Sequence, residues 1–66
     1  MDDWGLNIKR ARERKNMTQQ DLADSLGVAI RTVRRIEKSE NAPDIFLAIR
    51  ISEVLGTSLE KLFYTK

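Results

Sequence analysis

Four cations, Arg31, Arg34, Arg35 and Lys38, recur within one short stretch of this 66-residue chain. On a helical wheel at roughly 100° per residue with Ile30 at zero, Arg34 falls near 40°, Lys38 near 80°, Arg31 near 100° and Arg35 near 140°. Thr32, Val33, Ile36 and Glu37 occupy the other arc. Such a helix packs with one side and turns a strongly positive side outward. Guanidinium groups arranged in this way donate to phosphate oxygens, and in bidentate fashion to O6 and N7 of guanine. A solvated basic face has the same pattern, so the flanking residues must discriminate.

The flanks are specific. Thr18 and Asp21 form a Thr-x-x-Asp capping pair, with acidic charge in the first turn where the helix dipole favours it. Leu22, Ala23 and Leu26 make the apolar stripe of that helix, and Gly27 suits its left-handed end. A short capped helix, a tight turn and a basic helix form a device for placing side chains in the major groove of DNA.

Around this pair the sequence predicts three more helices. The first covers about residues 6–15, with Leu6, Ile8, Ala11 and Trp4 inward and Asn16 as its stop. A fourth runs from Pro43 and an Asp44 cap to Leu55, apolar over much of its circumference, and ends at Gly56. A last short helix follows from Leu59 to about Tyr64, capped by Thr57 or Ser58, with Glu60 placed for a capping box to Thr57. The expected class is all-α: a five-helix bundle forming one domain over 1–66, with the helix-turn-helix at about 18–38.

Composition excludes several alternatives. Hydrophobic residues make up 41% and charged residues 33%, which is globular rather than disordered. The chain has no Cys and no His, so disulfides, thiolate metal sites, the common general base and the thiol nucleophile are all absent. No carboxylate set has metal-ligand spacing, and no Gly-rich loop is present to cradle phosphate. No enzyme, metal or cofactor is expected. No apolar run approaches the ~20 residues of a membrane span. The acidic start, Met1-Asp2-Asp3-Trp4, is unlike a signal peptide, so a cytoplasmic location is expected. The net charge of +2 is uneven: residues 1–38 hold nine Lys/Arg and six Asp/Glu, whereas residues 39–66 hold three and four. Positive charge therefore collects where the basic helix lies, as phosphate neutralisation requires.

Together these residues resemble the phage-repressor (Cro/repressor-like, XRE-type) helix-turn-helix family over nearly the whole chain. The carriers are Thr18-Gln19, Asp21-Leu22-Ala23, Leu26-Gly27-Val28, Thr32-Val33, Ile36-Glu37, Pro43, Leu55-Gly56, Ser58-Leu59 and Leu62-Phe63. The resemblance implies the lambda-repressor-like fold and a sequence-specific regulator of transcription. The regulator would bind a palindromic double-stranded operator as a homodimer, more in the manner of a repressor than an activator. By the same resemblance, Ile30, Arg31, Arg34 and Arg35 face base edges, and Thr18, Gln19, Thr32 and Lys38 face phosphates. Arg12 and Glu37 match a structural ion pair between the first and third helices. Ala29 departs from the family, which usually has Ser or Thr as the recognition-helix cap. Ile30 stands where a polar residue is usual and is suited to a thymine methyl. Ser39 replaces a common Gly, and Glu40 a common cation.

The end at about 44–66 is the expected dimerisation surface. Phe46, Leu59, Phe63 and Tyr64 are too many apolar side chains for so short a chain to cover. Leu55 is counted with them, although its spacing also suits the core. No small-molecule ligand is expected. The competing reading is a protein-interaction module of the same fold, antitoxin-like or an anti-repressor partner, with little specific DNA binding.

Overall fold

Local capping explains where each helix begins in the computed structural model, which describes residues 3–64. Met1, Asp2, Thr65 and Lys66, the outer limits of the expected 1–66 unit, lie outside the described residues. Five helices follow in order: α1 (Trp4–Arg14), α2 (Gln19–Leu26), α3 (Ile30–Glu37), α4 (Ile45–Leu55) and α5 (Leu59–Phe63), with no strand among the described residues. Thr18 and Asp21 close a full capping box on α2, Thr18 Oγ1 accepting from Asp21 N at 3.0 Å and Asp21 Oδ2 from Thr18 N at 2.9 Å. Asp44 Oδ1 accepts from Leu47 N at 2.8 Å to start α4. Left-handed residues end the elements where the sequence anticipates them: Gly27 (φ 72°), Gly56 (φ 62°) and Asn16 (φ 58°).

Two boundaries differ from expectation. The first helix begins at Trp4 rather than Leu6, because Asp3 Oδ1 accepts from Leu6 N at 3.3 Å and caps a turn earlier. The last helix is capped by Ser58, whose Oγ accepts from Lys61 N at 3.2 Å. The Thr57–Glu60 box does not form, because Thr57 Oγ1 donates back to Leu55 O at 3.3 Å instead.

The core is built from Ile8, Leu22, Val33, Ile51, Leu55 and Leu62, all fully buried. One stripe from every helix contributes: α2 packs on α3 and α4, α1 on α3 and α5, and α4 on α5. Polar ties fasten the seams. Asn7 Nδ2 donates to Leu62 O at 3.1 Å, holding α5 to α1. Arg50 Nη2 donates to Ser25 O at 3.2 Å, holding α4 to the end of α2. No buried side-chain nitrogen or oxygen among the described residues lacks a hydrogen-bond partner, as a core this small requires.

Two elements approach closely at Gly5. Its N–H donates to Ser39 Oγ at 3.1 Å, and Ser39 itself sits in the left-handed region at φ 59°. A Cβ at position 5 would lie 2.6 Å from Glu37 O and 2.7 Å from Ile36 O, and against Ser39 Oγ as well. The start of α1 thus lies directly on the end of α3. Gly5→Ala should destabilise the fold by about 1–3 kcal/mol, the usual range for overpacking. A melting temperature equal to that of the native chain would show that α1 can draw back freely.

Candidate nucleic-acid interface

The outward face of α3 is cationic because its inward face leaves no alternative. Val33 and Ile36 are buried in the core, and Glu37, the one acid of this helix, is buried with them. Arg31, Arg34, Arg35 and Lys38 are all exposed, and none forms an ion pair among the described residues. Arg31 and Arg35 lie one helical turn apart. Lys38 is the C-cap residue, its N–H donating to Arg34 O. Thr32 is half-buried beside this face.

Ile30 is placed differently from the arginines. It is half-buried and rests against the core cluster, so part of its side chain is committed to packing and only the remainder can meet a base. Ala29 supplies no side-chain cap to α3, as the sequence indicates.

Glu37 is fixed by the helices on either side. Arg12 Nε donates to Glu37 Oε2 at 2.7 Å and Arg12 Nη2 to Oε1 at 3.1 Å, a bidentate ion pair between α1 and α3. Arg12 Nη1 also donates to Met17 O at 2.7 Å, which fastens the turn before α2. The hydrogen bond to Glu37 holds the Arg12 guanidinium pKa above its ordinary value, against the opposing effect of burial.

At the start of α2, Thr18 is exposed, and its hydroxyl oxygen accepts from Asp21 N as the cap. Gln19 is half-buried, and its Nε2 donates to Glu37 Oε1 at 3.1 Å. Spacing alone does not reveal this bond. The available signal is the spare acceptor capacity of a buried carboxylate already paired with Arg12. No group of three His, Cys, Asp or Glu able to hold a metal ion occurs among the described residues.

A model of the helix-turn-helix family matches residues 8–62. The chain belongs to the Cro/repressor-like, XRE-type helix-turn-helix family. It is 39% identical over 56 residues to an uncharacterized HTH-type transcriptional regulator of Methanocaldococcus jannaschii, covering 85% of each chain. Among solved structures, the restriction-modification controller protein C.AhdI of Aeromonas hydrophila superposes with a TM-score of 0.85 at 20% identity, covering 92% of both chains; this is a likeness of fold. A transcriptional regulator from Listeria innocua superposes with a TM-score of 0.84 at 26% identity, covering 96% of this chain and 60% of that one. A family of HTH-type transcriptional regulators implies a DNA-binding regulator and is not an enzyme class. In this helix-turn-helix, α2 is the first helix and α3 the second.

The opposite requirement, an apolar surface, appears on α4 and α5. Phe46 is 77% exposed, Ile45 60% and Tyr64 63%. Leu59 and Phe63 are half-buried, and the Phe63 ring lies 6.0 Å from that of Trp4. Ile45, Leu59 and Phe63 line a groove of about 420 Å³, together with Trp4 and Pro43. Leu55 does not belong to this surface. It is 2% exposed and packs in the core, because the inward stripe of α4 runs through Ala48, Ile51 and Leu55. Among the described residues no helix is long and apolar enough to cross a membrane.

The capping box of the helix-turn-helix gives a pH dependence. Hydrogen bonds from Thr18, the backbone N–H first, hold the Asp21 carboxyl below its ordinary value. A depressed folded-state pKa contributes stability above the unfolded value of about 4, and that contribution is lost as pH falls through the folded value. Asp21→Asn should therefore lower the melting temperature at neutral pH and converge with the native chain in strong acid. A constant difference across an acid titration of the melting temperature would remove the carboxylate from this role.

Proposed function

We propose that this protein is a cytoplasmic, dimeric repressor that reads a palindromic operator through α3. The observation that carries the DNA-reading part is the set of four exposed cations on α3 and its C-cap, none in an ion pair among the described residues, while the only acid of α3 is turned inward to Arg12. An interaction helix that had lost DNA binding would gain nothing from so much uncompensated like charge, because like charges at i,i+4 destabilise a helix.

In this reading Arg31 and Arg35 donate to guanine edges one turn apart, and Arg34 reads a base or the nearer phosphates. The exposed part of Ile30 meets a thymine methyl. Thr18, Gln19, Thr32 and Lys38 hold phosphates on either side, the first two at the positive end of the α2 dipole. No step of chemistry is involved; occupancy of the operator excludes polymerase.

Dimerisation is supported by dimensions and by apolar surface. The described residues span 30 × 22 × 19 Å, less than the about 34–36 Å between major-groove segments on one face of the duplex. One copy cannot engage two such segments, and two related by a two-fold axis can. The apolar residues of α4 and α5, foremost Phe46, are the surface to bury between them. The unit comprises residues 1–66, with the operator-reading part near 18–38 and the pairing part near 44–66.

Selection of bound sequences from a random pool of duplex DNA should return a two-fold-symmetric motif. Affinity for it should fall steeply with salt, with a slope set by the number of phosphates contacted. Arg31→Ala should cost about 1–3 kcal/mol and relax preference at one base position. Equal weakening on all sequences would make Arg31 a phosphate contact, and failure to enrich any motif would defeat the regulator reading. Sedimentation should show a dimer that Phe46→Glu converts to monomer; a monomeric native chain at tens of micromolar would defeat the pairing surface.

A further inference from the structure

The Glu37 carboxylate collects more donors than an ion pair needs. Arg12 supplies two, and Gln19 Nε2 supplies a third at 3.1 Å to Oε1. A carboxylate is acceptor-only, so the nitrogen and not the oxygen of the Gln19 amide must face it. That settles the orientation of the planar carboxamide. One Nε2 proton is used by Glu37; the second proton and Gln19 Oε1 have no partner among the described residues. Gln19 is also the first residue of α2, where free N–H groups and the dipole favour an anion.

We infer that Glu37 is a positioning residue for DNA: through Gln19 Nε2 it holds the carboxamide with its second N–H set for a backbone phosphate. This rests on the phosphate role of Gln19 proposed above. An unanchored glutamine must surrender its rotamer freedom when it binds, and here that freedom is already lost in the folded chain. The anchor lies on α3, the helix that carries Arg31 and Arg35. The phosphate donor of α2 and the base-reading helix are therefore fixed to one carboxylate. Arg12 couples the same point to α1.

The test separates anchoring from mere stability. Replacing a buried ion pair by apolar residues of similar volume usually preserves or raises stability, so Arg12→Met combined with Glu37→Leu removes the anchor while keeping the fold. Binding is measured on the duplex that the native chain selects from the random pool. Gln19→Ala should weaken binding by about five- to tenfold in the native background, the range of one hydrogen bond. In the Arg12→Met/Glu37→Leu background it should weaken binding less than twofold. The double variant itself should bind several-fold more weakly at an unchanged or higher melting temperature. Equal costs of Gln19→Ala in both backgrounds, or no cost in the native one, overturn the inference.

Should the double variant fail to fold, the native chain still decides the question by nuclear magnetic resonance. The duplex should shift one of the two Gln19 Nε2 protons far more than the other. Equal shifts of the two, or a pair the duplex does not move, overturn the inference. A native chain that selects no duplex at all defeats the regulator reading; additive variants on a chain that does bind defeat only this one.

Discussion

The buried carboxylate of Glu37 joins both helices of the helix-turn-helix to α1. It lies on α3, pairs in bidentate fashion with Arg12 of α1, and accepts from Gln19 of α2. A charge so placed is expensive to bury alone, and removing one partner of such a pair typically costs about 3–5 kcal/mol. The geometry therefore has to be kept as a unit. What it secures is orientation: three helices that hydrophobic contacts alone would let slide are tied at one set of atoms. Apolar packing is tolerant of small shifts, whereas a hydrogen-bonded ion pair is directional. The cationic face of α3 inherits that directionality without any of its own residues being buried.

The same arrangement divides charge by sign across α3. The one acid faces inward and meets a cation, while four cations face outward and pair with no acid among the described residues. A protein surface usually intersperses signs; leaving one sign uncompensated builds a field that attracts a polyanion and raises association rates. On α4 the exposed residues include the large apolar side chains Ile45, Phe46 and Ile49. The molecule thus carries two dissimilar surfaces, one suited to phosphate and base edges, the other to a second protein surface.

Most of this architecture is written in short-range signals. Thr18 with Asp21, Asp44, Gly27, Gly56 and Asn16 act within a turn of their own position, so residue type and spacing reveal the helix limits there. The wheel position of the α3 cations is legible for the same reason. What is not legible depends on partners far along the chain. Gly5 looks like a poor helix former until Ile36 and Glu37 carbonyls are seen where its side chain would be. The Ser39 hydroxyl at the same contact and the bond from Gln19 to Glu37 arise only from packing. Ile30 shares an arc with the arginines on a wheel, yet it rests partly against the core. Leu55 is apolar like its neighbours, and only the direction of the α4 stripe places it inside.

Trp4 is the single tryptophan of the chain, and it stands with Phe63 at the wall of the apolar groove rather than on the cationic face. Indole emission responds to the water around the ring. The molecule therefore contains an optical gauge of whether that groove is wet or covered, one that needs no label. Because no aromatic residue lies on α3, the gauge reads events at one surface and is blind to contacts made only at the other.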